Sequence, residues 1–394
     1  ESYEGEGYDR KNLKIPQNQE ELLAEIAETV GKDNIAAISF GGAPMDFSFE
    51  KNVGAILHMY LGGQAVGESV ADLISGEVNP SGKLAETIPF SEKDTPAWRY
   101  FAPPNDDVEY RESIFVGYRY YETFHVPVKY PFGYGLSYTS FSYSELSVPE
   151  VYSGGKIQIR FKIKNIGKVS GAEIAQLYIC PIESDVIRSH IELKGFQKIY
   201  LHPGEEKEVI LELDERSFSV YDVEKKAFSM LSGKYQICIG ASVQDLQLKA
   251  NMEVVGNSYF RNERELFPDY FREQPHGMEI SVEQFYQLLG GEPKHDKEKK
   301  RGEYTVYDSY QDVVNVSMFG KFVRGVVHIG LKIMLRGKSE QDPAFKMVKM
   351  GVEEGNLEGL IATSGGIATP KLIDMLVYNA NKKYLQAFKT LLKK

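Results

Sequence analysis

The chain has 394 residues and a mass of 44.5 kDa, room for about two to four domains. Its apolar (42%) and charged (26%) fractions are those of packed globular protein and exclude a disordered chain. With 46 basic and 56 acidic side chains the net charge is −10, which excludes a sequence-independent nucleic-acid binder, because displacing counterions from phosphates needs a basic surface.

The opening residues Glu1-Ser-Tyr-Glu-Gly5 show neither a basic start nor an apolar segment. There is no initiator Met, so the chain reads as part of a longer product. Up to about residue 140 helix and strand alternate. Gln19 to Val30 places Leu22, Leu23, Ile26 and Val30 on one helical face. Pro16 and Asn18 stand before this helix, and Gly31 is positioned to cap its end. Ile35 to Phe40 and Val53 to Tyr60 are short apolar runs, as expected of parallel strands buried on both faces. Gln64 to Ile74 reads as a second helix, stopped by Gly76 and Pro80. The pattern is that of an α/β layered domain, and two strands are too few for a complete sheet. Such a domain is expected to expose an apolar face and to associate with a partner or with itself, which makes a homo-oligomer one expected outcome.

Residues 141–256 change period. Ile157-Gln-Ile-Arg-Phe-Lys-Ile163 alternates apolar and polar, the signature of a half-buried antiparallel strand. Ala175 to Cys180, Lys207 to Leu213 and Lys234 to Ile239 behave alike, with turn signals between them. This spacing predicts an immunoglobulin-like β-sandwich. Its core is expected to hold Ile157, Ile159, Phe161, Ile163, Leu177, Ile179, Val209, Leu211, Leu213, Tyr235 and Ile237. Cys180 and Cys238 are the only cysteines, too few for a disulfide framework or a Cys-based zinc site. Two free core thiols are expected, with a single bridge as the alternative.

Residues 257–394 carry 21 basic and 18 acidic side chains, against 25 and 38 in residues 1–256. The charge run Lys294 to Arg301 reads as a solvated linker. Val313 to Leu335, Ala344 to Gly351 and Pro370 to Leu392 show helical spacing. No stretch reaches the roughly 20 apolar residues of a membrane span; the best, Phe322 to Leu335, is broken by Arg324, His328 and Lys332. The three regions are thus a partial α/β domain (1–140), a sandwich (141–256) and a linker with a helical extension (257–394).

The seven histidines are scattered, with no metal-ligand spacing, and no cofactor or metal is called for. Gly62-Gly-Gln-Ala-Val-Gly67 sits between strand and helix but matches neither a dinucleotide fingerprint nor a P-loop, so close chain packing explains it. Ser364-Gly-Gly366 is read the same way. The segment Glu4-Gly-Glu-Gly-Tyr-Asp-Arg10 differs: two carboxylates, flanking glycines, a ring and an Asp-Arg pair fall within seven residues. Glycines let the backbone bend and a bulky ligand approach. A glutamate there can donate a proton if burial beside Tyr8 raises its pKa. A solvated acidic loop is the other reading.

These motifs in order resemble those of the β-glucosidase type of glycoside hydrolase family three. After the Glu4–Arg10 segment come Gly62 to Gly67, Asp72-Leu-Ile-Ser-Gly-Glu77 and Asn79-Pro-Ser-Gly-Lys-Leu84. Gly117-Tyr-Arg-Tyr-Tyr121 and Tyr130-Pro-Phe-Gly-Tyr-Gly-Leu-Ser-Tyr-Thr139 close the series. Asn165-Ile-Gly167, Gly171 to Tyr178, Leu193-Lys-Gly-Phe196 and Leu201 to Glu205 are similar to the fibronectin type III-like domain of such enzymes. The helical tail resembles extensions of bacterial members.

The resemblance implies a retaining β-glucosidase, which needs two carboxyl groups about 5–5.5 Å apart, a nucleophile and an acid/base. The family's nucleophile is an Asp before a Trp on a TIM-like barrel. The single Trp98 follows Ala97, so barrel and nucleophile are absent from these residues and the chain alone is expected to be inactive. The acid/base is implied to be Glu6, with Glu4 as the fallback, and Tyr8 to line the leaving-group subsite. Asp9 and Arg10 are implied to form an ion pair, and Tyr118 to Tyr121 to fill a domain junction. The implied partners are a β-glucoside or oligosaccharide, with β-xylosides as rivals, and the N-terminal barrel; no nucleic acid or membrane is called for. Two cysteines and no visible signal favour a cytoplasmic location, with secretion left open. The other reading is a non-catalytic carbohydrate- or protein-binding scaffold, which an exposed strip of aromatics on the sandwich would favour. The outward Gln158, Arg160 and Lys162 speak against such a strip on their strand.

Overall fold

The computed structural model describes residues 10, 12–101, 108–256, 262–293, 299–335, 339, 342–353, 355–364 and 366–392. They form two compact units, Leu13–Pro293 and the helical C-terminal region.

In the first unit, α1 (Gln17–Val30) starts after Pro16 and ends at Gly31, which takes φ 81°. Strands β1 (Ala36–Ser39) and β2 (Ala55–His58) pair in parallel, with Ala36 opposite Ala55. Helix α2 (Val66–Ser75) ends on the left-handed Gly76. Gly62, just before it, lies so close to Val66 that a Cβ would meet Val66 Cγ2 at 2.3 Å, which supports the packing reading of that glycine-rich turn. Met45, Phe47, Phe49, Val53 and Ile88 form the small core here, joined by Leu23 and Ile56. Strand β3 (Ile88–Pro89) pairs with β4 (Val128–Tyr130), and α3 (Tyr118–Thr123) lies between them in sequence.

One expectation fails in this region. No residue of β1 or β2 is fully buried, and Leu22, Ile26 and Val30 of α1 stand exposed. The elements form as the pattern predicts, but a two-stranded parallel sheet has no second layer with which to cover both of its faces.

The sandwich begins at β5 (Phe141–Ser147) and β6 (Val151–Tyr152). It continues through β7 (Ile157–Asn165), β8 (Gly171–Pro181), β9 (Glu192–Leu201) and β10 (Glu206–Leu213). The hairpin β11 (Ser219–Asp222) and β12 (Ala227–Met230) precedes β13 (Gly233–Gly240) and β14 (Leu246–Val254). One sheet runs β10-β7-β5 and the other β6-β14-β13-β8-β9. Nine of the eleven expected core residues are buried, while Ile157 and Leu211 are half-buried against the same cluster. Each large apolar side chain so buried stabilises by about 1.5–3 kcal/mol. Cys180 and Cys238 sit on neighbouring strands as free buried thiols, their Sγ atoms 3.8 Å apart.

After the sandwich, α4 (Glu263–Leu266) and α5 (Val282–Leu289) belong to a segment that doubles back onto the α/β region. Phe267, Tyr270, Met278 and Ile280 share a core with Phe115, Tyr120, Tyr121 and Val126. The Tyr120 hydroxyl donates to the Gln274 carbonyl at 2.6 Å and accepts from the Gly277 N–H at 3.0 Å.

The second unit comprises α6 (Tyr310–Asn315), α7 (Met318–Met334), α8 (Pro343–Glu353), α9 (Leu357–Thr363), α10 (Pro370–Ala380) and α11 (Tyr384–Leu392). The expected single helix from Val313 is split because Ser317 caps a new one, its hydroxyl accepting from the Gly320 N–H at 2.9 Å. Val313, Val314, Leu357, Leu360, Ile373, Leu376 and Ala380 are its core.

Candidate functional site

Glu4, Glu6 and Tyr8, with Asp9, lie outside the described residues. Following them, the Leu13 carbonyl accepts from the Asp46 N–H at 2.9 Å, and Ile15 packs against the α/β core.

The Asn79–Leu84, Gly117–Tyr121 and Tyr130–Thr139 motifs meet at the junction between the α/β region and the sandwich. Asn79 Oδ1 accepts from the Ser137 hydroxyl at 3.0 Å and the Tyr138 N–H at 2.8 Å, while its Nδ2 donates to the Ser170 carbonyl at 3.0 Å. Thr139 donates to Asn165 Oδ1 at 2.7 Å. Gln176, buried on β8, donates to the carbonyls of Gly133 at 3.1 Å and Ala241 at 2.8 Å. Tyr118 stacks on Phe132 with centroids 4.7 Å apart and accepts from the Leu193 N–H at 3.0 Å. Of the aromatic run expected to fill this junction, Tyr118 does so, whereas Tyr120 and Tyr121 are buried in the core shared with the segment after the sandwich. These side chains position domains, and their polar groups are spent on one another.

One cluster of titratable side chains escaped the sequence reading. His58 and Tyr60, at the C-terminal end of β2, bring their rings to 4.1 Å, and His58 Nδ1 lies 2.9 Å from the Ser39 hydroxyl. Burial pushes the His58 pKa down and keeps the imidazole neutral. Burial raises the Glu86 carboxyl, which the Tyr60 hydroxyl only partly offsets. The available signal was a carboxylate set against the buried Thr87 and Ile88. The cluster holds one carboxyl where retaining hydrolysis needs two, so by itself it cannot do that chemistry. Among the described residues no group of histidine, cysteine and carboxylate side chains could hold a metal.

A cleft of about 510 Å³ opens beside the junction, lined by Glu77, Asn79, Tyr138, Ser170, Lys198 and Tyr200 among others. Tyr138 and Tyr200 are more than half exposed, and Phe196 stands exposed two positions before Lys198 on β9.

Residues 1–138 match the Glycosyl hydrolase family 3 C-terminal domain, and residues 173–243 match the Fibronectin type III-like domain. The chain thus carries a glycosyl hydrolase family 3 C-terminal domain followed by a fibronectin type III-like domain. It is 44% identical over 256 residues to the thermostable beta-glucosidase B of Acetivibrio thermocellus, covering 64% of this chain and 34% of that one. It is 36% identical over 257 residues to an exo-alpha-(1->6)-L-arabinopyranosidase of Bifidobacterium breve, covering 65% of this chain and 34% of the relative. The crystal structure of a Bifidobacterium adolescentis GH3 beta-glucosidase superposes with a TM-score of 0.61 at 36% identity, over 65% of this chain and 38% of that one. Beta-glucosidase 3B of Thermotoga neapolitana, in complex with alpha-D-glucose, gives 0.60 at 35%, over 65% and 37%. The chain therefore spans about a third of the length of these curated relatives.

Proposed function

We propose that these residues are the distal part of a retaining β-glucosidase that removes terminal β-D-glucosyl residues. The carrying observation is the 44% identity to a beta-glucosidase over 256 residues. Glu6 protonates the glycosidic oxygen while a carboxylate on a barrel outside this chain attacks the anomeric carbon. Glu6 then takes a proton from the water that hydrolyses the glycosyl intermediate. Glu4 is the fallback for this role, and Tyr8 lines the leaving-group side. The substrate is a β-glucoside or oligosaccharide, and the arabinopyranosidase name of a relative makes an arabinopyranosyl glycone the first to try next. A cytoplasmic location remains the proposal for compartment. The test is an assay of the 394-residue chain with a nitrophenyl β-glucoside, alone and joined to a family barrel. Turnover only when joined supports the reading; turnover by the chain alone sinks it.

The exposed Phe196, Tyr138 and Tyr200 favour a second reading, a non-catalytic module that holds an oligosaccharide in the cleft. Retardation of the chain in a gel containing soluble β-glucan, lost in Tyr200→Ala, would support it.

A further inference from the structure

Helix α7 presents two apolar faces. Phe319, Val323 and Val327 face the helical core. At about 100° per residue, Met318, Phe322, Val326, Ile329 and Ile333 fall within a second arc of about 80°. All five are exposed, from 53% at Val326 to 90% at Met318. A ridge of this length, left exposed among the described residues, marks an interaction surface.

Charge identifies the partner. Lys321, Arg324, His328 and Lys332 fall together along one flank of the ridge, and α7 contains no carboxylate. The surrounding region shares this bias. Residues 294–394 carry 18 basic and 11 acidic side chains, whereas residues 1–293 carry 28 and 45. A region of net charge +7 inside a chain of −10 is matched to an anionic surface. Two copies packed through α7 would bring like-charged flanks together with no carboxylate on the helix to pair them. Among the described residues no helix is long and apolar enough to cross a membrane, so α7 can lie along one but not span it.

We infer that α7 docks on an anionic lipid surface. Its ridge enters the boundary between headgroups and acyl chains, and Lys321, Arg324 and Lys332 sit over acidic headgroups. The inference is independent of the catalytic reading.

The test is co-sedimentation of the full chain with phosphatidylcholine vesicles, with and without about one third phosphatidylglycerol. Binding is expected only with the anionic lipid, and it should weaken as salt shortens the Debye length. Phe322→Asp/Ile329→Asp should abolish it, with helicity unchanged because both side chains are exposed. Lys321→Glu, which leaves the ridge intact, should weaken it about tenfold. No binding, or equal binding to both vesicles, overturns the inference. A dimer by light scattering that the double variant dissociates, without vesicle binding, assigns the ridge to a second copy instead.

Discussion

The Lys83 ammonium and the Glu173 carboxylate stand 3.0 Å apart across the junction of the α/β region and the sandwich, both nearly buried. Lys83 also donates to the Gly135 carbonyl at 2.9 Å. Burial raises the Glu173 pKa and Lys83 pulls it back. Removing one partner leaves an uncompensated buried charge, at a cost of about 3 kcal/mol. Lys83→Met and Glu173→Gln should therefore each lower the urea midpoint strongly, and the double variant should recover much of the loss. Additive losses would show that the pair is not coupled.

Gly133 has φ +81°, and a Cβ there would meet Gln176 Oε1 at 2.1 Å. Gly133→Ala should cost about 2 kcal/mol, from the left-handed backbone and the displaced Gln176. Thermal unfolding of the variant measures it. An unchanged melting temperature would mean that the junction relaxes freely.

Glu192 lies on the sandwich between Arg188 (2.9 Å) and Lys194 (2.5 Å). Burial alone pushes its carboxyl up, but the two cations outweigh burial and hold it below the ordinary range. A depressed folded pKa gives stability that is present above the unfolded value, about 4.3, and is lost as pH falls through the folded one. The chain should lose stability below about pH 5, and Glu192→Gln should be less stable at pH 7 with a flatter acid limb. An identical pH profile in the variant would remove Glu192 from this role.

If Glu6 is the acid/base, Glu6→Gln in the barrel-joined enzyme should cut hydrolysis by about 10²–10⁴. The loss should shrink for aryl glycosides whose leaving group needs little protonation. Azide should then restore turnover in part, since an anionic nucleophile needs no base. Full activity on an alkyl glucoside would refute the role, and the same loss in Glu4→Gln alone would move it two residues upstream.

The strand β7 was readable because one of its faces meets water: Ile159, Phe161 and Ile163 are buried while Gln158, Arg160 and Lys162 face out. Strand β8, where Ala175 to Cys180 is expected to alternate in the same way, is instead buried on both faces. Tyr178 and Gln176 on its outer face are covered by Tyr118, Phe132 and Gly133, which lie far off in sequence. Leu22, Ile26 and Val30 show the converse, since spacing revealed their helix but not what would cover it. Ser317 was legible as a cap only once its own extended backbone, φ −133° and ψ 154°, interrupted the helix. Glu86 and His58 carry no spacing signal, because only the parallel pairing of β1 and β2 and the fold beyond them bring such residues near Ser39 and Tyr60.

The return of residues 262–293 onto the α/β region bears on how these modules can be cut and joined. A gene stopped after codon 256 would include every strand of the sandwich, yet it would strip Tyr120, Tyr121 and Phe115 of Phe267, Tyr270, Met278 and Ile280. A stop after codon 293 keeps that shared core whole and falls where the two compact units divide. Grafting the sandwich onto another hydrolase therefore means carrying the 262–293 strap with it, or redesigning the tyrosine face the strap protects.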